Sequence, residues 1–564
     1  MARQRTKAFS IGVDFGTNSV RALVVDTADG SELGTAVFNY PSGQAGVLLD
    51  RRDPNLARQN PADYVQGFFA AVGAALREAR RRRGFDPARV VGLGIDTTGS
   101  TPIPVDRAGI PLAFDRRFRR HLAAQAWLWK DHTGHAEAAE ITDAARKAGA
   151  PYLAKCGGTY SSEWFWSKIL HCRRSAPDVF QAAHSWVECC DFVPAYITGN
   201  LDPITMSRSV CAAGHKAMYN DAWGGLPSKE FLAGLDPELA ALRERLYRKA
   251  VPSDRRAGGL SAESARKLGL PAGIAVAVGG FDAHFGAVGS GVRPGTLVKI
   301  LGTSTCDMMV WPLDRPLADV PGLCGIVPGS IVPGMYGLEA GQSAVGDIFN
   351  WFVSQLCPAE FARGDRHANL ARAAARLQPG ESGLLALDWN NGNRTILVDP
   401  LLTGLLVGQT LHTTAPEIYR ALIEATAFGA LTIINRFEEY GVKVSEVVNC
   451  GGIAEKSPLL MQIYADAFNR PMKLSRSAQS CALGAALFGA VVGGAYRSTE
   501  EAQQRMTGVK AKAYSPRPEA AKVYAELYRL YRLLHDAFGT DAQGEGLQRV
   551  MKDLIAIRDR VRRS

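Results

Sequence analysis

Hydroxyl, amide, arginine and carboxylate side chains are gathered around one turn near the start of the chain, in the segment IGVDFGTNSVRALVVD (residues 11–26). A glycine lets backbone N–H groups approach an anion, hydroxyls and an amide add donors, and an arginine balances negative charge. A carboxylate can hold Mg²⁺ directly or through water. The residues that would serve a polyphosphate in this way are Gly16, Thr17, Asn18, Ser19 and Arg21, with Asp14 for the metal. The turn lacks the G-x-x-x-x-G-K-[ST] pattern of a P-loop, and a plain β-hairpin with a polar tip explains it equally well.

A second turn of the same kind lies in LVKILGTSTCDMMVW (residues 297–311), where an apolar run, the tip Gly302, Thr303 and Ser304, and another apolar run follow one another. One such turn is weak evidence for phosphate binding, because most are ordinary hairpin turns. A pair of them, one in each half of the chain, indicates an internal repeat. We therefore expect two similar hairpins that face each other across a cleft.

Asp282 is the candidate general base. It follows the apolar run GIAVAVGG and precedes AHFGAVG, which has a helical pattern. Its carboxylate would then lie at a strand end beside a helix N-terminus, whose dipole favours the ionised form. An ionised aspartate there can accept the proton of a substrate hydroxyl during phosphoryl transfer. Position alone favours helix capping, which is a common use of aspartate at this place.

The elements that must position these residues alternate between strands and helices. Buried strands are predicted at 90–96, 273–282, 297–304 and 446–452, and helices at 62–83, 416–439 and 458–468. This alternation predicts the α/β class for both halves. At 564 residues the chain exceeds what one hydrophobic core serves, so two large domains are expected. Their join is predicted at the Gly/Pro-rich passage 289–295, and a terminal helical segment from about Pro516.

The composition is that of an ordinary globular protein, with 46% apolar and 21% charged residues. No run approaches the ~18 consecutive apolar residues of a membrane span, and the basic start MARQRTK soon leads into a strand, so neither a membrane anchor nor a signal peptide is expected. The net charge of +10 is densest at residues 80–83, which suit a solvated helix end, so nucleic-acid binding is not expected. Ten cysteines without a C-x-x-C pair predict reduced thiols in a cytoplasmic protein.

Several motifs together resemble one family. The two hairpins and the later segment NCGGIAEKSPLLMQ are similar, in order and over essentially the whole chain, to segments of the sugar kinases related to actin and the heat-shock ATPases. More specifically, the sequence resembles the FGGY family of carbohydrate kinases in the segments IDTTGSTPIPVD, WLWKDHT, YSSEWFWSKILH, AGHK, GGFDAHFGAVGSG and GLEAGQSAVGDIFNWF. The resemblance implies two actin-like (ribonuclease H-like) ATPase domains around a deep interdomain cleft, a sugar-binding one at 1–290 and an ATP-binding one at 291–564.

The resemblance also implies where a sugar would bind. It assigns the general base to Asp282, which would also contact the sugar, and it places Lys216 and Glu339 at the sugar hydroxyls. On sequence alone these two charges would be interpreted as surface groups or salt-bridge partners. Gly99 and Ser100 would line the same pocket, with the glycine admitting the sugar close to the backbone.

Two further assignments have ordinary alternatives. Gly451 and Gly452 would let adenine lie flat against the main chain, although glycine is also common in strand-to-helix turns. Trp129 is either a wall of the sugar pocket or a buried core aromatic. ATP and Mg²⁺ are the expected cofactors. His132, His135 and His284 lack a metal-ligand spacing, and no protein-bound transition metal is expected.

The implied reaction transfers the γ-phosphoryl group of ATP to the terminal hydroxyl of a ketopentose, with L-ribulose preferred and D-ribulose used more weakly, in arabinose catabolism. A homodimer is one assembly that we consider. Within the same class, a kinase for D-ribulose, ribitol, xylulose or glycerol is an alternative. From a different class, an actin-like or chaperone-like ATPase would share the hairpins, but a base at Asp282 and the sugar segments disfavour it. Dependence of ATP turnover on added sugar separates these classes.

Overall fold

The computed structural model of the chain describes residues 7–540 and 547–563. Within them the strands form two large sheets and three small ones. In chain order the strands are β1 (Phe9–Phe15), β2 (Ser19–Asp26), β3 (Glu32–Asn39), β4 (Leu48–Asp50), β5 (Asp53–Gln59), β6 (Val90–Thr97), β7 (Pro102–Val105), β8 (Ala126–Trp127), β9 (Ser185–Glu188), β10 (Arg256–Gly259), β11 (Ala275–Ala277), β12 (Gly280–Phe281), β13 (Thr296–Leu301), β14 (Thr305–Pro312), β15 (Gly325–Pro328), β16 (Met335–Ala340), β17 (Leu385–Leu387), β18 (Leu405–Val407), β19 (Glu446–Cys450), β20 (Met472–Ser475) and β21 (Val509–Tyr514).

The first large sheet has the order β10-β11-β6-β1-β2-β3, with β12 also paired to β6. Strands β1, β2 and β3 are antiparallel neighbours, whereas β6 runs parallel to β1 and β11 runs parallel to β6. The strand β1 is almost wholly buried because both faces of this sheet are covered. Its register with β2 pairs Phe15 with Val20, which closes the first predicted hairpin around residues 16–19.

The second large sheet has the order β15-β16-β14-β13-β19-β20-β21. Strands β13, β14 and β16 are antiparallel neighbours, and β19 and β20 continue the sheet in parallel from β13. Each sheet therefore contains three antiparallel strands followed by two parallel ones, with the Gly-Thr hairpin at the same place. This repeated topology confirms the predicted α/β class and the internal repeat of two hairpins.

The helices lie around and between the sheets. The α-helices are α1 (Pro61–Ala79), α2 (His135–Lys147), α3 (Phe165–Ser175), α4 (Pro177–Ala182), α5 (Cys189–Thr198), α6 (Val210–Lys216), α7 (Lys229–Leu235), α8 (Pro237–Arg243), α9 (Ala262–Leu268), α10 (Asp282–Gly289), α11 (Gly346–Gln355), α12 (Arg366–Ala374), α13 (Ala415–Glu439), α14 (Gly452–Lys456), α15 (Pro458–Phe468), α16 (Ser480–Val492), α17 (Thr499–Met506), α18 (Pro518–Gly539) and α19 (Leu547–Arg563). Short 3₁₀ helices are Pro87–Arg89, Leu112–Phe114, Leu122–Ala124, Pro151–Cys156, Asp221–Trp223 and Ala359–Phe361.

Helix α16 connects the two halves, since it comes from the second half but packs on β1 and β6 of the first sheet. Glycines make this approach possible. A Cβ atom at Gly12 would lie 1.8 Å from the carbonyl oxygen of Ala482, and one at Gly94 would lie 1.9 Å from that of Ala485. Helix α10 packs on α16 in the same way, because a Cβ atom at Gly484 would lie 1.9 Å from the carbonyl oxygen of Phe285.

Several element boundaries differ from the prediction. The predicted helix 62–83 ends at Ala79, and residues 80–83 follow it as an exposed stretch. The predicted strand 273–282 is broken into β11 and β12, where a Cβ atom on the intervening Gly279 would lie 2.0 Å from the carbonyl oxygen of Cys190. A helix that was not predicted, α14, begins at Gly452, ahead of the predicted helix at 458–468.

The terminal segment packs on the second half, as predicted. Helix α18 contacts α13 and α15, and its Tyr524 and Tyr531 are completely buried. Among the described residues no helix is long and apolar enough to cross a membrane. The chain passes from the first large sheet to the second between Phe281 and Thr296. The exact domain bounds, 1–290 and 291–564, remain a prediction.

Candidate active site

The first turn is closed by a hydrogen bond that Gly16 N donates to the Ser19 carbonyl oxygen over 2.9 Å. The Thr17 hydroxyl accepts from Trp129 Nε1 at 3.0 Å, and Asn18 Nδ2 donates to the Ala45 carbonyl oxygen at 2.6 Å. The side chains of Thr17 and Asn18, which are predicted to bind phosphate, therefore also stabilise the turn. Trp129 is half-buried and contacts this turn, so it is not an ordinary core aromatic.

Gly16 has a different physical role from the one that its residue type suggests. Its φ is not in the left-handed region, so the turn does not require glycine for backbone conformation. A Cβ atom there would meet only the Ser19 carbonyl oxygen, at an ordinary 3.5 Å. The space above the turn is therefore open to an approaching group, which is the property that a phosphate site needs.

The second turn has the same internal hydrogen bond, from Gly302 N to the Ser304 carbonyl oxygen at 3.0 Å. It is anchored to the start of α11, because Val345 N donates to the Thr303 carbonyl oxygen at 2.8 Å. The predicted adenine segment lies beside it. Gly451 has a φ of +95° and would place a Cβ atom 2.3 Å from the Leu301 carbonyl oxygen, so glycine is required there.

Gly452 differs from its neighbour, since a Cβ atom there would meet no protein atom within 4 Å. The residue begins α14 and is exposed. The structure therefore brings Gly451 together with the second turn and leaves room beside Gly452 for a flat group.

Asp282 is the first residue of α10, directly after β12. The preceding Phe281 occupies the N-cap position without a side-chain cap, and Asp282 Oδ1 accepts from Ala283 N at 2.6 Å. Burial, followed by the charge of Asp14, raises the pKa of Asp282 to about 7. A carboxyl group with this pKa can exchange a proton near neutral pH, as a general base must.

Two other carboxylates lie near Asp282. The register of β1 and β6 pairs Asp14 with Asp96, and both groups interact electrostatically with Asp282. Burial raises the pKa of Asp14, although Arg21 lies 3.5 Å from it and acts in the opposite direction. Burial and then the charge of Asp14 raise the pKa of Asp96 well above its usual range. Arg21 is thus the partner of the predicted metal ligand, and Asp96 is a site residue that the sequence analysis missed.

Lys216 and Glu339 form a buried ion pair between the two halves of the chain. Lys216 Nζ lies 2.8 Å from Glu339 Oε1 and 3.0 Å from Oε2. Although burial acts in the opposite direction, the Lys216 ammonium holds the pKa of Glu339 well below its usual range, and Glu339 raises that of Lys216. Both residues are therefore charged at neutral pH. The interpretation as surface charges is wrong, because they are only 5% and 8% exposed.

Two histidines complete the surroundings of Glu339. Oε2 of Glu339 lies 3.2 Å from His215 Nδ1 and 3.6 Å from His284 Nε2. Burial lowers the pKa of His284 to about 4 and that of His215 well below its usual value, so both rings are neutral at pH 7. The sequence analysis considered His284 with His132 and His135, whereas the structure places it with His215 and Glu339. We interpret the two rings as walls around Glu339, whose charge Lys216 already balances.

Gly99 lies against the aromatic ring that precedes Asp282. A Cβ atom on Gly99 would lie 2.2 Å from Phe281 Cδ1, so the glycine is needed to pack these two segments together. The Lys216 ammonium lies 5.9 Å from the centre of the same ring. The structure thereby gathers Gly99, Asp282, Lys216 and Glu339 around Phe281.

Ser100 is fully buried and donates its hydroxyl to Glu188 Oε1, while Thr101 N donates to Glu188 Oε2 at 2.7 Å. Lys168 Nζ donates to the Ser100 carbonyl oxygen at 2.8 Å. Burial lowers the pKa of Lys168 to about 7 and raises that of Glu188 to about 7. These two residues fix the loop after β6. Sequence reasoning missed both, because they are distant in the chain and carry no motif of their own.

Comparisons with known proteins identify the family and the relatives of the chain. Residues 9–289 match the N-terminal domain, and residues 297–492 the C-terminal domain, of the FGGY family of carbohydrate kinases. The chain is 44% identical to a protein named ribulokinase from Geobacillus thermodenitrificans over 549 residues, covering 94% of this chain and 95% of the relative.

A second relative of the same name, from Halalkalibacterium halodurans, is 42% identical over 569 residues and 98% of each chain. Among solved structures, the fold is similar to that of xylulose kinase from Rhodospirillum rubrum, with a TM-score of 0.75. That match has 23% identity and covers 94% of this chain and 99% of the other.

Proposed function

Since the chain belongs to the FGGY family of carbohydrate kinases, we propose that it transfers the γ-phosphoryl group of ATP to the terminal hydroxyl of L-ribulose, giving ribulose 5-phosphate, and uses D-ribulose more weakly. The observation that carries the proposal is the buried Lys216–Glu339 pair beside Asp282, in a chain whose relatives at more than 40% identity are named ribulokinase over nearly their full length. The substrate name comes from those relatives, and the polar pair supplies a chemical reason for a hydroxyl-rich ligand.

In the proposed mechanism, Lys216 and Glu339 bind sugar hydroxyls, and the loop containing Gly99 and Ser100 forms the pocket wall. Asp282 accepts the proton of the terminal sugar hydroxyl while the oxygen of that hydroxyl forms a bond to the γ-phosphorus of ATP. At the same time the bond between the γ-phosphorus and the β–γ bridging oxygen breaks, and ADP leaves with that oxygen. Its pKa of about 7 supports this role, because a base is most effective when its pKa lies near the working pH.

For the nucleotide, we propose that the turns at 16–19 and 302–304 bind phosphates, with Arg21 adding charge, and that Gly451 and Gly452 contact adenine. The open space over Gly16 and Gly452 supports these assignments. Asp14 fits a Mg²⁺ ligand, since its carboxylate offers oxygen atoms and its one cationic partner within residues 7–540 and 547–563 is Arg21, at 3.5 Å. Bound Mg²⁺ would neutralise charge on the transferring phosphoryl group.

Other kinases of pentuloses or pentitols remain the alternative within the family. The actin-like or chaperone-like ATPase is disfavoured by the family membership itself.

We also propose a role in arabinose catabolism in a cytoplasm. All ten cysteines lie in the described part of the chain and are unpaired, which supports a reducing compartment. The assembly that we propose to test is a homodimer, by light scattering of the purified protein.

The test is the identity of the product. The protein is incubated with ATP, Mg²⁺ and L-ribulose, and the phosphorylated sugar is analysed by ³¹P and ¹³C NMR. A phosphate on the terminal carbon is expected. ADP formation that proceeds equally with and without sugar, or a phosphate on another carbon, would contradict the proposal.

A further inference from the structure

Asp96 is a buried carboxylate to which no group in the described part of the chain donates a hydrogen bond. Its side chain is 0% exposed, and neither Oδ1 nor Oδ2 has a donor among the described residues. An ionised carboxylate is costly to bury unless something balances its charge, and buried polar side chains nearly always have partners. Either a group from outside the protein therefore binds to the Asp96 carboxylate, or the carboxyl group is protonated.

The backbone places this carboxylate beside Asp14. The register of β1 and β6 aligns the two residues, and directly paired residues of parallel strands lie about 4.8 Å apart on the same face. Two positions earlier on the same face, Gly12 and Gly94 contact the backbone of α16. The carboxylates thus follow the part of this face that α16 covers, and the 13% exposure of the Asp14 side chain shows that accessible space begins at Asp14, beside the buried Asp96.

Arg21 is the cationic side chain that acts electrostatically on both Asp14 and Asp96. Arg21 lies 3.5 Å from Asp14 and is 38% exposed, and it donates no hydrogen bond to Asp96. The oxygen atoms of the two aspartates therefore have too little positive charge nearby to balance two ionised carboxylates. Mg²⁺ prefers such a site, with one or two carboxylates and the phosphates of a nucleotide as ligands.

We propose that Asp96 is a second carboxylate ligand of the divalent cation, acting with Asp14 across the β1–β6 strand pair. This inference rests on the proposed ATP-dependent function, since nucleotide phosphates would supply the remaining ligands. Asp96 is then a residue that holds the cation, distinct from the base at Asp282.

The experiment measures cation binding rather than turnover. Mn²⁺, which also prefers oxygen ligands, is titrated into the protein with a non-hydrolysable ATP analogue, and free Mn²⁺ is followed by electron paramagnetic resonance. Asp96→Asn should weaken Mn²⁺ binding by at least about tenfold, since even partners of metal ligands contribute that much. Asp106→Asn is the matched control. Asp106 caps an exposed turn in the same half through hydrogen bonds that an amide can also accept, so wild-type affinity is expected.

Thermal unfolding without metal tests whether the variants fold. Asp96→Ala is a second variant at the same position, in case Asp96→Asn does not fold. The metal-free Asp96→Asn protein should be at least as stable as the wild type, because burial already disfavours the charged form of Asp96 and an amide is uncharged. Wild-type Mn²⁺ affinity in a folded Asp96 variant would overturn the inference and would indicate a shared proton instead, while leaving the proposed function intact. Failure of the wild type to bind Mn²⁺ with the nucleotide would overturn both.

Discussion

Burial and the charge of Asp14 together raise the pKa of Asp282. Its sequence position, between a strand and a helix, was predictable from the apolar run and the helical pattern around it. Its charged neighbours were not, because Asp14 and Glu339 act on it from other elements. A residue's place in an element can be inferred locally, whereas the environment that sets its pKa depends on tertiary contacts.

The first prediction concerns the base itself. Asp282→Asn keeps the shape of the side chain and its acceptance of the Ala283 N–H, but an amide cannot take the proton. We expect kcat to fall by ~10²- to 10⁴-fold, the usual contribution of a general base, with ATP affinity unchanged. Steady-state kinetics and calorimetric titration of ATP measure the two quantities. A variant that keeps most of its wild-type kcat would remove Asp282 from this role.

The second prediction is a pH dependence. The pKa of Asp282 is raised to about 7, so below that pH the carboxyl is increasingly protonated and cannot act as a base. The kcat/KM for sugar should therefore rise with pH up to about 7 and then level off with respect to this group. A bound cation would shift the rise to lower pH, because positive charge favours the carboxylate. A kcat/KM that increased as the pH fell through this range would exclude an ionised carboxylate as the essential form.

At the scale of elements, the contact between α16 and the first sheet was beyond prediction from the sequence. The glycines in IGVD and VVGLGID are visible in the sequence. The sequence does not show why glycine is needed there, because the helix whose backbone contacts them lies about 390 to 470 residues later in the chain. The long helix α13 was predicted within one residue, since its pattern and its Thr414, Glu417 capping box are local. Helix α14 was missed because five residues are too few to establish a period.

The third prediction tests this packing. Gly94→Ala would place its Cβ atom 1.9 Å from the Ala485 carbonyl oxygen, a backbone atom that cannot move without shifting α16. We expect a loss of about 1–3 kcal/mol or more in the free energy of unfolding, as for other overpacked cores. Gly234→Ala in α7 is the control, because its Cβ atom would meet nothing within 4 Å. Chemical denaturation of both variants gives the comparison, and equal stability would contradict the close packing.

At the scale of the whole molecule, residues of the two halves meet around the proposed sugar site. Besides the Lys216–Glu339 pair, His215 Nε2 lies 2.9 Å from Ser330 Oγ, and Arg394 lies 3.3 Å from Glu163. The internal repeat and the two turns were predictable from the sequence. The charges that cross between the halves were not, because each partner is an isolated residue in its own segment.

The fourth prediction follows from these crossing contacts. If the halves close on sugar and exclude water, ATP hydrolysis without sugar should be far slower than phosphoryl transfer with it. Small-angle scattering should show a smaller radius of gyration when sugar and a non-hydrolysable ATP analogue are both bound. Rapid ATP hydrolysis in the absence of sugar would contradict closure as the trigger for the reaction.

The most direct test of the proposed function is the ratio of kcat/KM values across a panel of L-ribulose, D-ribulose, xylulose, ribitol and glycerol, measured by coupled ADP release. We predict that L-ribulose gives the highest value and that D-ribulose is used less well, because an epimer keeps its hydroxyls and misplaces one. Glycerol should be nearly inert, since a site that pairs buried polar groups with hydroxyls can reject ligands lacking them by up to ~10⁴-fold. A panel in which xylulose or ribitol clearly exceeds L-ribulose would contradict the proposed substrate and leave the family assignment intact.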